Sequence, residues 1–116
     1  MTRPKIAGKY HITWMEQWAK DFLDLEVQAF MQIKPDGTGE FQFGLVIGSM
    51  DCRFTERDGK PAVEFSWEGQ EEVTHSLCGR GWAVLEGNEL KGHLFIHDGD
   101  ESAFKAKRIK TARSHR

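Results

Sequence analysis

The chain has 116 residues, of which 39% are hydrophobic and 29% charged, and its net charge is −2. This size and composition fit one domain over residues 1–116, whose core needs no disulfide or metal to hold it together. No apolar run approaches the roughly 18 residues of a membrane span, and the N-terminus lacks a signal-peptide pattern. We therefore expect a cytoplasmic protein with no membrane contact.

The charge is unevenly distributed along the chain. Residues 105–116 hold six Lys or Arg and no acid, whereas the remaining chain holds ten basic and eighteen acidic residues. We interpret residues 110–116 as a flexible basic tail and residues 1–7 as an N-terminal lead. The tail has no interleaved aromatic residues, and the acidic body would repel a polyanion, so we predict no nucleic-acid partner.

The first predicted strand starts at Lys9, where apolar and polar residues alternate and Tyr10, Ile12 and Trp14 share the inward face. Residues 17–24 lack this alternation and favour a short helical turn. A second strand is predicted from Leu25, with apolar residues at the odd positions: Leu25, Val27, Ala29, Met31 and Ile33.

Two turns are predicted next. Residues 35–39 connect to a strand with Phe41, Phe43, Leu45 and Ile47 inward, and matching the apolar faces places Ile33 opposite Phe41. At Gly48-Ser49 the apolar phase changes to even positions, which indicates a two-residue turn with Ile47 opposite Met50.

The second half of the chain continues the pattern. Asp58-Gly59 predicts a hairpin that places Phe54 opposite Val63, and Gly87-Asn88 predicts one that places Leu85 opposite Leu90. Residues 69–76 are polar and are interpreted as a longer connection. A three-residue loop, 98–100, leads to a last strand with Phe104, Ala106 and Arg108 inward.

The predicted fold class is therefore all-β, an antiparallel up-and-down meander of about eight strands. Such strands pack as a sandwich or close edge to edge into a barrel. Gly8-Lys9-Tyr10 and Arg108 resemble the calycins, which place Gly-x-Trp at the start of strand one and pack a basic residue of the last strand over its ring. The chain as a whole also resembles a type of small, uncharacterised bacterial protein. The calycin resemblance implies a small closed barrel, lipocalin-like or fatty-acid-binding-protein-like.

The leading functional hypothesis is a non-enzymatic barrel that binds an apolar or amphipathic small molecule inside. Its ligand-binding residues would be Tyr10, Trp14, Trp67 and Arg108, with the guanidinium meeting an anionic group. The alternative is that the aromatic residues fill the barrel and Arg108 caps its end, since eight strands enclose just enough space for side chains.

A second hypothesis concerns the outer face. Trp82, Val84 and Phe95 point outward in the predicted register, joined by Phe30 and Val46. Apolar surface of this kind is typical of association sites, so a homodimer or a protein-interaction module is the alternative function.

Catalysis is the third hypothesis. It would use His75 and Cys78 as an activated nucleophile, although no third group is evident to orient the histidine, or the outer histidines His93 and His97. His93 and His97 lie about 13 Å apart on one strand, too far to share a metal. We therefore assign no catalytic residue, no metal and no cofactor.

Overall fold

The computed structural model describes residues 4–72 and 74–109; residues 1–3, 73 and 110–116, and with them the predicted flexible tail, lie outside this range. The elements in chain order are β1 (Gly8–Met15), α1 (Lys20–Leu23), β2 (Phe30–Ile33), β3 (Thr38–Phe43), β4 (Val46–Arg57), β5 (Lys60–Glu71), β6 (His75–Glu86), β7 (Glu89–Ile96) and β8 (Glu101–Arg108). Each strand pairs antiparallel with the next, and β8 returns to β1. The predicted all-β meander is confirmed, and it closes as a barrel instead of packing as a sandwich.

Two hairpins have the predicted register. Phe54 pairs with Val63 across Asp58-Gly59, and Leu85 pairs with Leu90 across Gly87-Asn88. Asp58 and Gly59 both have positive φ, 54° and 79°, as a type I′ turn requires. The predicted helical turn is also present, as α1.

The turn between β3 and β4 was predicted four residues too late. It lies at Gly44-Leu45, so Phe43 pairs with Val46 and β4 runs without interruption through Gly48-Ser49. Gly44 has φ 57°, and a Cβ there would overlap the Phe22 ring, so packing and backbone together select this glycine. The shift buries Val46 and exposes Ile47, the reverse of the prediction.

The start of the predicted second strand is also wrong. The strand begins only at Phe30, because the Asp24 carboxylate accepts a hydrogen bond from the Ala29 N–H at 2.8 Å and closes a compact loop. Leu25 and Val27 lie exposed on this loop. The same hydrogen bond is the main reason that the pKa of Asp24 is lowered.

The turn after β2 is tighter than predicted. Asp36 accepts hydrogen bonds from both the backbone and the hydroxyl of Thr38, so Ile33 pairs with Gly39 and Phe41 pairs with Met31.

Three further corrections concern strand ends. A β-bulge between Ile12 and Trp14 reverses the face of the following residues, so Met15 points inward and Trp14 outward. The strands β5 and β6 extend into the polar segment 69–76, because β5 ends at Glu71 and pairs there with His75, where β6 begins. The connection before β8 comprises residues 97–100, one residue earlier at its start than predicted, and the Ile96 N–H donates to the Asp100 carbonyl across it.

Inside the barrel, large aromatic residues face glycines on the neighbouring strand. The cross-strand pairs are Phe41 with Gly48, Phe65 with Gly81, Trp67 with Gly79 and Phe104 with Gly92. A Cβ at any of these glycines would approach the partner ring to 2.5–2.8 Å, so each ring occupies the space that its glycine leaves free. This pairing fills the interior with buried side chains.

The barrel ends are also covered. Buried Ile6 closes the end at which β1 begins, and α1 covers the other end with buried Leu23. The partly buried Trp18 packs against Phe43 at this second end, with ring centroids 4.9 Å apart.

Candidate functional site

The four residues predicted to line an internal ligand site do not share one cavity. Tyr10 and Trp67 are buried in the interior, and Arg108 lies half-buried at one end of the barrel. Trp14 is 44% exposed on the outer surface, so its predicted inward orientation is wrong. The bulge in β1 is the cause, because one extra residue reverses the direction of the next side chain.

Tyr10 and Arg108 join the N-terminal segment to the barrel. The Arg108 guanidinium lies 5.0 Å from the centre of the Tyr10 ring and donates to the carbonyls of Lys5 (2.7 Å) and Ala7 (3.1 Å). The Tyr10 hydroxyl donates to the Ile6 carbonyl at 2.8 Å. Burial raises the pKa of Tyr10, and the nearby Arg108 charge partly offsets this shift. These polar atoms therefore already serve the fold.

Trp67 is likewise held by the barrel. Its ring crosses Gly79 and its indole N–H donates to the Phe95 carbonyl at 3.2 Å. The Phe41 ring meets it edge-on, with centroids 5.0 Å apart and planes at 76°. Trp67 therefore acts as a packing residue.

A concave surface lies on the outside of the barrel, across β4, β5, β6 and β7. Two adjoining depressions, of about 390 and 860 Å³, share Asp51, Ser66, Arg80 and Phe95 in their lining. We call the smaller of the two the outer groove. Its lining residues are Asp51, Arg53, Arg57, Glu64, Phe65, Ser66, Arg80, Gly81, Trp82 and Phe95.

Guanidinium groups lie over the aromatic rings of the outer groove. Arg57 is 4.1 Å from the Trp82 ring centre, and Arg80 is 5.0 Å from that of Phe95. His93 lies between the two rings, stacked on Trp82 at 6.4 Å and tilted against Phe95 at 4.8 Å. The result is a continuous row of flat groups with a cation over each end.

Of the three arginines that line the outer groove, only Arg53 is paired with a carboxylate among the described residues. Arg53 pairs with Asp51 at the edge of the groove. Within residues 4–72 and 74–109, neither Arg57 nor Arg80 has a carboxylate within 4.0 Å, and their guanidinium nitrogens form no hydrogen bond. Their donors are therefore free to meet an anionic group.

The sequence indicated only half of this site. Trp82 and Phe95 were predicted to be outward, and both line the groove. Arg80 could have been found as well, because the correctly predicted β6–β7 register pairs it with Phe95. Arg57 reaches Trp82 across β5, a diagonal contact that no local pattern reveals. Of the remaining predicted members of the patch, Val84 and Val46 are buried.

Phe30, the last predicted member of this patch, lies away from the groove. It pairs with Gln42 of β3 and with His11 of β1.

The proposed nucleophile pair is not assembled. His75 and Cys78 are three residues apart on β6, so their side chains leave opposite faces of the sheet about 10 Å apart along the strand. The other thiol, Cys52, is buried, and burial raises its pKa to about 11. Among the described residues, no group of three His, Cys, Asp or Glu side chains is placed to hold a metal ion.

Comparisons with protein-family models, curated proteins and solved structures find no significant match to this chain. Within the described part of the chain, no helix has the length and apolar character needed to cross a membrane.

Proposed function

We propose that this protein is a non-enzymatic binding module that holds an amphipathic small molecule in the outer groove. The ligand would have a flat apolar body and an anionic group. The observation that carries the proposal is the pair of unpartnered guanidinium groups lying over aromatic rings in one concavity. A flat body would contact Trp82 or Phe95, and Arg57 or Arg80 would meet the anionic group.

The size of the outer groove supports a small ligand. Its volume of about 390 Å³ lies in the range of sites that hold one small molecule. Glu64 also lines the groove, and Asp51 is already paired with Arg53. We therefore expect a ligand with one or two negative charges, because a higher charge would meet repulsion from Glu64.

An internal ligand has less support. Trp14 lies outside the barrel, and the polar atoms of Tyr10, Trp67 and Arg108 bond backbone carbonyls. The aromatic–glycine pairs occupy the space that such a ligand would need.

Titration with 8-anilinonaphthalene-1-sulfonate, a flat aromatic sulfonate, tests the proposal. We expect saturable fluorescence enhancement with one site per chain, weakened at least about tenfold by Arg57→Gln combined with Arg80→Gln. The control is Lys34→Gln, which removes an exposed cation that lies in neither depression and should leave the titration unchanged. Equal binding by all three proteins, or no saturable binding by the wild type, would contradict the proposal.

A second candidate is homodimerisation through the same face. Trp82 and Phe95 point outward and are only partly covered by their arginines, which favours contact with another apolar surface. Light scattering over a range of protein concentrations separates the two candidates. A dimer that Trp82→Glu converts to a monomer supports this candidate, and a wild-type monomer throughout rules it out.

We also propose that the closed barrel is calycin-like. The support is the Arg108 guanidinium packed over the ring of Tyr10, which is the arrangement that the resemblance implies. A cytoplasmic location stays a prediction from the sequence.

A further inference from the structure

The strands of the barrel divide by charge. The adjacent strands β8, β1 and β2 contain Lys9, Lys105, Lys107 and Arg108, and their single carboxylate is Glu101. Strands β3 to β7 contain five basic and eight acidic residues. Among the strands, the acidic residues therefore lie mainly on β3 to β7, and β8, β1 and β2 are mostly basic. Two carboxylates outside the strands adjoin the basic side: Glu16 accepts a hydrogen bond from the Ala103 N–H of β8, and Asp24 lies 3.7 Å from His11 of β1.

The three lysines of the basic side point outward and lie close together. Lys105 and Lys107 are alternate residues of β8, about 7 Å apart along the strand. Lys107 pairs with His11, next to Lys9 on β1. All three lysines are exposed, and none has a carboxylate within 4.0 Å among the described residues. We call the outer surface of β8, β1 and β2 the lysine face.

An aromatic ring lies beside each of two of these lysines. The Lys105 amine is 5.4 Å from the ring centre of Trp14, and the Lys9 amine is 4.8 Å from that of Phe30. Trp14 is on this face only because the bulge in β1 turns it outward. The absence of interleaved aromatic residues was a reason to predict no nucleic-acid partner, and the fold supplies them from two other strands.

We propose that the lysine face binds single-stranded nucleic acid. Lysine amines that follow a phosphate backbone, next to exposed rings that stack on bases, form the usual combination for binding single strands without sequence preference. The eight acidic residues of β3 to β7 oppose this less than the net charge suggests, because charges beyond about 8–10 Å are screened at physiological salt. The nearer Asp24 carboxylate is paired with Lys20 at 3.5 Å.

Fluorescence anisotropy of a labelled 12-nucleotide oligo(dT) with the full chain tests this proposal. We expect saturable binding with a log–log salt slope of about −2 or steeper, since single strands give roughly −0.7 for each neutralised phosphate. Lys105→Gln should make the slope shallower by about 0.7. Trp14→Ala should weaken binding about tenfold at constant salt, because one stacked base is lost.

Two control variants carry the same chemical changes elsewhere. Lys60→Gln removes a lysine from β5, across the barrel, and Trp82→Ala removes the tryptophan of the outer groove. Both should bind oligo(dT) as the wild type does, which also separates this proposal from the proposed function.

Three results would overturn the inference. They are the absence of saturable binding, equal weakening by the control variants, and equally tight binding of poly-glutamate or of phosphatidylglycerol vesicles, which would indicate a general anion surface.

Discussion

Aromatic side chains on the two sides of this sheet are accommodated in opposite ways. Inside the barrel, Phe41, Phe65, Trp67 and Phe104 each lie against a glycine of the neighbouring strand. Outside, the rings of Trp82 and Phe95 lie beneath arginine guanidinium groups. An inner ring is fixed by close packing, whereas an outer ring is covered by a long side chain that can move to admit another molecule.

This difference indicates where ligands can bind. Displacing an inner ring would open a void and leave its glycine without a neighbour, at a cost of several kcal/mol. Displacing a guanidinium from an outer ring loses only about 0.5–1 kcal/mol, which a ligand can readily replace. Binding is therefore expected outside the barrel, and the following predictions test the contrast in order of decreasing effect.

The largest effect is expected from opening the interior. Phe104→Ala should lower the free energy of unfolding by about 3–5 kcal/mol, because Gly92 on the facing strand cannot fill the void. Urea denaturation followed by circular dichroism measures the change, with Trp14→Ala as an outer control. A loss below about 1 kcal/mol would mean that neighbouring side chains fill the void. It would contradict the claim that inner rings are fixed by close packing.

Removal of the Arg108 guanidinium should have the next largest effect. Arg108→Met keeps a long apolar side chain but deletes the hydrogen bonds to Lys5 and Ala7, so we expect a loss of about 2 kcal/mol. Hydrogen exchange of the Ala7 amide, which donates to Pro4, should accelerate in the variant. An unchanged exchange rate would show that Arg108 does not hold the N-terminal segment in place. The ligand-binding role predicted from the sequence would then stay open.

A pH effect of about 1 kcal/mol is expected from the buried thiol. Burial raises the pKa of Cys52 from 9.0 to about 11, so between these values the unfolded chain releases a proton that the folded chain retains. The free energy of unfolding is therefore unaffected by this thiol below pH 9. It falls as the pH rises above 9, by about 1 kcal/mol at pH 10.

Unfolding of the wild type and Cys52→Ala at pH 8 and pH 10 measures this difference. Burial raises the pKa of Tyr10 as well, so the variant should retain part of the pH dependence. Identical slopes for the two proteins would show that Cys52 does not titrate in this range.

The sequence predicted the meander and the register of two hairpins. A two-residue turn whose residues need positive φ fixes which residues of the two flanking strands pair. Asp58-Gly59 is such a turn. Gly44 and Gly48 are equally compatible with the apolar phase, and only the Phe22 ring, from a distant segment, selects Gly44. Tertiary packing therefore decided what the local pattern could not.

The candidate site was predictable only where it follows strand pairing. The β6–β7 register placed Trp82 and Phe95 outward, and Arg80 lies directly beside Phe95. The bulge that turns Trp14 outward has no glycine or proline to mark it in His11-Ile12-Thr13-Trp14. For this reason the lysine face could not be recognised from the sequence.

The smallest effect on stability is expected from uncovering an outer ring. Arg57→Gln removes the cation over Trp82 and should change the free energy of unfolding by less than about 1 kcal/mol, since the pair is at the surface. Urea denaturation beside Phe104→Ala gives the comparison directly. Arg53→Gln is the control, because among the described residues its guanidinium lies over no aromatic ring and pairs with Asp51. A loss above about 2 kcal/mol would show that the Arg57 guanidinium contributes to stability nearly as much as an inner ring does. Outer aromatic residues would then be fixed like inner ones, and the groove would have no movable cover for a ligand to displace.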